Sequence, residues 1–134
     1  MPIAERWQVQ LACHLDDPPY PSLRGVERWD WPVFEGLRRF CSVVDSPYHG
    51  LNLCLGTTAE GLADSTAELP QIIQHFGERK KIFNVHFRNI VSSGVPGRAG
   101  HQFHESWPDE GDSNMFALAR ALHDVGYEYM LMCV

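Results

Sequence analysis

The stretch LACHLDDPPYP, Leu11 to Pro21, carries an apolar run to a histidine and then breaks into two aspartates and two prolines. The alternation leading into it, WQVQLAC from Trp7 to Cys13, reads as a strand, because residues two apart share a face. Pro18 and Pro19 bar a helix and send the chain onward on an extended path. His14 therefore stands at the C-terminal tip of a strand. Two further runs repeat the pattern: LNLCLG (Leu51 to Gly56) reads as a short buried strand ending on Cys54, and KIFNVHFRN (Lys81 to Asn89) as a strand ending near His86.

Helical periodicity fills the gaps between these runs. WPVFEGLRRFCSVV (Trp31 to Val44) reads as a helix with Pro32 in its first turn. STAELPQIIQHFG (Ser65 to Gly77) reads as a second, with a capping box from Ser65 and Glu68 and with Gly77 just past its end. SNMFALARALHDVG (Ser113 to Gly126) reads as a third, capped by Ser113 or Asp112, and YEYMLMCV (Tyr127 to Val134) as a fourth strand. The order β-α-β-α-β-α-β predicts an α/β unit of about four parallel strands with three helices as right-handed crossovers. Two connections, Leu15 to Asp30 and Asn89 to Asp112, exceed the few residues such units need. Both follow the C-terminal ends of strands, the edge at which parallel α/β folds gather ligands.

Composition narrows the partners. With 44% hydrophobic and 11% aromatic residues, the 134-residue chain has the make-up of one globular domain. A net charge of −6 leaves no basic footprint, so a nucleic-acid partner is not expected. No apolar run approaches the roughly 20 residues of a membrane span, which excludes a membrane partner. The four cysteines, Cys13, Cys41, Cys54 and Cys133, form no CxxC pair and suit reduced thiols in the cytoplasm.

Any single His or Cys near a strand end is more often ordinary packing than a ligand. The coincidence of His14, Cys54 and His86 on three successive strand ends points to a metal site. If His14 faces that site, alternation turns Cys13 to the helices. Asp16 and Asp17 read equally as turn formers ahead of the prolines and as groups that orient His14 or bind substrate hydroxyls. Arg88, two residues past His86 on the same face, suits bidentate binding of a carboxylate. His104, in QFHES, lies in a long loop able to reach the catalytic face, whereas His49, His75, His101 and His123 read as ordinary turn or helix residues. Two imidazoles and a thiolate suit zinc, iron or cobalt equally well.

These motifs resemble the mannonate dehydratase family, metal-dependent lyases built on a xylose-isomerase-like (β/α)8 TIM barrel. HLDDPPYP is similar to the family's HPDDPP, with Leu15 in place of its first proline; DSPYHGLNLCLGT is similar to NSPYNG…CTG, HFRN to HLRN, FHES to FHEA and GDSNM to GDVDM. The matches run in family order from Leu11 to Val134. The resemblance implies that residues 1–134 form a single partial TIM-barrel domain, strands five to eight, with His14, Cys54 and His86 on a divalent metal, usually Mn2+ with Fe2+ the alternative. It implies Arg88 and His104 in catalysis and Asp16, Asp17, Arg88 and Asn89 at the substrate, D-mannonate, which is dehydrated to 2-keto-3-deoxy-D-gluconate in glucuronate catabolism. The family's fourth ligand, an aspartate in a PDH motif, would follow Val134. The chain is accordingly expected to be a catalytically incomplete fragment, with open barrel edges that favour homo-oligomers or other association. A sugar isomerase or epimerase on the same barrel type would find less use for Arg88, and a non-catalytic fragment is the third reading.

Overall fold

The computed structural model describes residues 1–134. In chain order the elements are α1 (Pro2–Trp7), β1 (Leu11–Cys13), the short pair β2 (Ser22–Leu23) and β3 (Val26–Glu27), α2 (Val33–Ser42), β4 (His49–Cys54), α3 (Leu55–Glu60) and α4 (Ser65–Glu78). They continue with β5 (Ile82–His86), β6 (Asn89–Ser93), β7 (Gln102–Ser106), α5 (Met115–Asp124) and β8 (Leu131–Met132). The main sheet has the order β1-β4-β5-β8 and every pairing in it is parallel. The expected succession of strands with α2, α4 and α5 as crossovers is what the chain forms.

Register explains which side chains face where. Leu53 pairs with Val85, and both are fully buried against the helices with Leu37, Leu69, Ile73, Phe76 and Leu118. One residue on, Cys54 pairs with His86, and one residue back Asn52 pairs with Asn84, so these four side chains share the opposite face. A bulge between Leu51 and Asn52 leaves Phe83 as the extra residue on β5. Its ring lies against Gly50, where a Cβ would meet both that ring and the Lys81 carbonyl.

Several local expectations are corrected. Trp7 ends helix α1, which has Pro2 in its first turn and Gln8 in the left-handed conformation as its stop; the strand begins only at Leu11. The N-cap of α4 is Asp64, whose carboxylate accepts from Ala67 N while Glu68 accepts from Asp64 N; Ser65 is the first helical residue. Gly77 lies inside α4 because Val125 packs against its Cα, not as a terminator. Asn114 caps α5, in place of Ser113 or Asp112. The long segment after β5 folds back as the antiparallel hairpin β6–β7, and β8 covers only two of the eight residues expected. No helix is long and apolar enough to cross a membrane.

Gly36 tests this packing with a clear sign. It lies inside α2, where Gly costs roughly 0.5–1 kcal/mol relative to Ala. A Cβ there would sit 2.5 Å from backbone atoms of Asp30, which cannot swing aside. Gly36→Ala is therefore expected to lower the urea midpoint of the chain, against its helix propensity; a raised midpoint would show that the loop before α2 does not press on this helix.

Candidate metal centre

Parallel strands deliver their C-terminal ends to one edge, and three potential ligands meet there. The ligand atoms of His14, Cys54 and His86 all lie within 4.8 Å of one another. An ion bonded at about 2.0–2.3 Å to each would need separations of roughly 3 to 4.5 Å, so the set fits one divalent ion with small adjustment. The rings of His14 and His86 stand 5.0 Å apart. The Nδ1 of His14 donates to the Leu15 carbonyl at 2.6 Å, the kind of backbone bond that fixes a ligating imidazole and leaves Nε2 free. Asn84 donates to Asn52 Oδ1, and the Asn52 side-chain amide lies 3.0 Å from His86 Nε2, a contact that sets the plane of that ring.

Cys54 does two jobs because a strand becomes a helix at that residue. It ends β4 and N-caps α3, its Sγ accepting from Thr57 N and Thr57 Oγ1 at 3.4 and 3.2 Å. Burial pushes its thiol up, but hydrogen bonds from His14 and Thr57 and the nearby Arg88 charge outweigh burial, and the net shift is downward. The bond to Cys54 raises His14, while burial, followed by repulsion from His14, lowers His86. The opposed shifts of His14 and Cys54 are those of a hydrogen-bonded pair, and they leave His86 harder to protonate than a free imidazole.

Arg88 forms the second part of the site. Its Nη2 reaches Glu60 Oε1 at 2.7 Å, Thr57 Oγ1 at 2.8 Å and Asp17 Oδ2 at 3.0 Å, and its Nη1 reaches Glu105 Oε1 at 2.6 Å. Three carboxylates thus surround one guanidinium whose side chain is 9% exposed. Glu60 is buried with Oε2 lacking any partner; burial, then the Asp17 charge, pushes its carboxyl up to about 8 even with Arg88 opposing.

The remaining sequence-predicted residues divide. Asp17 belongs to the Arg88 cluster, but Asp16 turns away to an ion pair with Arg28. Asn89 is buried and spent on the fold, bonding the backbone of Ile90, Pro108 and Ser113. His104 is exposed on β7, next to Glu105, and strand alternation turns it to the face opposite the Glu105 side chain that meets Arg88. Thr57, Glu60 and Glu105 escaped the sequence reading. A signal for Glu60 existed: it is the one charge in LGTTAEGLA, a run of apolar and small residues right after a candidate ligand.

Comparison with known proteins gives a consistent picture. The family model described as D-mannonate dehydratase (UxuA) matches residues 1–133. Mannonate dehydratase 2 of Halalkalibacterium halodurans is 36% identical over 129 residues, covering 95% of this chain and 34% of that protein. The mannonate dehydratase of Thermotoga neapolitana is 34% identical over 130 residues, 96% of this chain and 33% of its own. The crystal structure of mannonate dehydratase from Streptococcus suis serotype 2 superposes with a TM-score of 0.80 at 28% identity, covering 97% of this chain and 35% of that one. The fold is thus that of part of the mannonate dehydratase structure, and the chain spans about a third of the length of the curated relatives it matches.

The buried Glu60 carboxyl generates a pH prediction. Its folded value of about 8 exceeds its ordinary 4.5, so between those values the folded state holds a proton that the unfolded state has released. Unfolding free energy must then fall as pH rises through that window. Glu60→Gln removes the titration, and urea unfolding of this variant is expected to lose less stability across the window than the natural chain; equal slopes would place Glu60 in its ordinary, ionised range.

Proposed function

The chain belongs to the D-mannonate dehydratase family, and from that premise we propose that it supplies part of a metal-dependent active site that dehydrates D-mannonate to 2-keto-3-deoxy-D-gluconate. The observation that carries the reading is the meeting of His14, Cys54 and His86 at the C-terminal edge of the sheet. These three residues would hold the divalent ion, Mn2+ with Fe2+ the alternative. A thiolate with two imidazoles suits zinc, iron or cobalt, so it is the family resemblance and not the donor set that points to manganese. When bound, such an ion supplies Lewis-acid stabilisation of the charge that develops as a proton leaves the carbon next to a carboxylate.

This chain's own groups divide the rest of the work. Arg88 offers a fixed positive charge two residues from His86, positioned by Glu60 and Thr57 for a substrate carboxylate. Asp17, bound to Arg88 and to Thr57 but still 40% exposed, is placed to bind a substrate hydroxyl or exchange a proton with it. His104 stands off from this cluster and is the weaker acid–base candidate. Association belongs to the same reading, since β1 and β8 are open edges of the sheet and carry exposed Leu11, Leu131 and Met132.

The test places the chain in a whole barrel. Residues 1–133 replace the matching third of the Thermotoga neapolitana enzyme, and the chimaera is assayed with Mn2+ for 2-keto acid formation from D-mannonate and for aldose isomerisation. Manganese-dependent dehydration is expected, reduced about 100-fold or more in Cys54→Ala. Isomerisation without dehydration would favour a sugar isomerase, and a folded, metal-binding chimaera with no turnover would overturn the catalytic reading. Cobalt titration of the 134-residue chain should give a thiolate-to-metal absorption band that Cys54→Ala abolishes.

A further inference from the structure

We infer that the Glu105 carboxylate occupies on Arg88 the seat that a sugar-acid carboxylate takes, and that binding exchanges one for the other. This rests on the reading of Arg88 as the carboxylate-recognising group and adds what holds that seat beforehand. The two ends of the guanidinium differ in kind. Nη2 is fixed from within by Glu60, whose side chain is 1% exposed, and by the buried Thr57, with Asp17 at its edge. Nη1 meets one protein group alone, Glu105, whose side chain is 64% exposed.

Charge counting favours the exchange. One guanidinium faces three carboxyl groups, of which Glu60 keeps its proton below about 8, and Glu105 is the member with most access to water. Glu105 is already largely in water, so its carboxylate is resolvated on release with little loss on its side of the pair. An incoming carboxylate restores the count at Arg88, whereas removing Glu60 would strand a charge in the interior. The inner end of the same guanidinium is linked to the candidate metal ligands: Thr57 Oγ1 is within hydrogen-bond distance of both Arg88 Nη2 and Cys54 Sγ. The move needs only a side-chain rotation, since Asn89 and the paired β6–β7 backbone hold the root of the hairpin.

The experiment compares D-mannonate with D-mannitol, the neutral molecule of the same skeleton, by calorimetric titration of the 134-residue chain. Glu105→Gln, and independently Glu105→Ala, should tighten mannonate binding about fivefold, the equivalent of an exposed ion pair, and leave mannitol unchanged. Arg88→Lys should weaken mannonate selectively. Unchanged or weaker mannonate binding in both Glu105 variants, with Arg88→Lys still sensitive, overturns the exchange while sparing Arg88 as the carboxylate site. Mannonate affinity indifferent to Arg88→Lys overturns both. Equal tightening of mannitol, or no mannonate binding by any variant, also overturns the exchange. Turnover is not read, so a failure of the dehydratase reading leaves these outcomes interpretable.

Discussion

A guanidinium taken out of water must recover its hydration from fixed acceptors, and Arg88 recovers it from three separate parts of the chain. Asp17 comes from the loop after β1, Thr57 and Glu60 from the helix after β4, and Glu105 from the hairpin after β5. Each of these segments could fold locally in many ways. Their common attachment to one side chain at the end of β5 selects the arrangement in which all of them stand over the sheet's C-terminal edge. The cost falls on Glu60, whose carboxyl is pushed up to about 8 first by burial and then by the neighbouring Asp17 charge. Arg88 Nε, buried without a partner, shows that satisfaction of the group is incomplete even so.

The parallel register sets the other half of the geometry. Cys54 and His86 are partners across β4 and β5, so their side chains emerge at one height on one face, and the bulge at Phe83 is what brings them level. Without that extra residue Asn52 would oppose Phe83, Cys54 would oppose Val85, and the ligands would be split between two faces. A run of alternating apolar residues in a sequence does not disclose a bulge. The cluster of His14, Cys54 and His86 was nonetheless legible, because each of them sits at the end of its own apolar run and parallel strands share an edge whatever their exact register.

What sequence reading missed has identifiable physical causes. The pattern from Trp7 to Cys13 alternates like a strand, but Trp7 belongs to a helix that tertiary context and a left-handed Gln8 terminate. LNLCLG reads as one continuous buried run, and nothing in its hydropathy marks Cys54 as the point where strand turns into helix; the signal is the ability of a thiol to accept from the N–H three residues on. The segment NIVSSGVPGRAGHQFHES holds the marks of a hairpin, two short polar-apolar strands about a glycine-rich turn, yet its length reads first as loop. The ends of helices α4 and α5 shifted by one or two residues, which is the usual uncertainty where several capping residues stand in a row.

Thr57 links the two halves of the site, and the link has electrostatic content. Its hydroxyl carries one proton and stands near three acceptors or donors at once: the Cys54 sulfur, the Asp17 carboxylate and the Arg88 guanidinium. Arg88 can only donate, so it occupies a lone pair of the oxygen and leaves the proton to be given to either the sulfur or Asp17. Where the proton goes to sulfur, it favours the thiolate and releases Asp17 to pair with Arg88 alone; where it goes to Asp17, the thiolate must lean on His14 and the Thr57 backbone N–H. The charge state of Cys54 is thereby tied to that of the Asp17–Arg88 pair through a single hydroxyl. A methyl group in its place would keep the shape and sever the tie, which is the physical reason a threonine, and not a valine of the same size, suits this position.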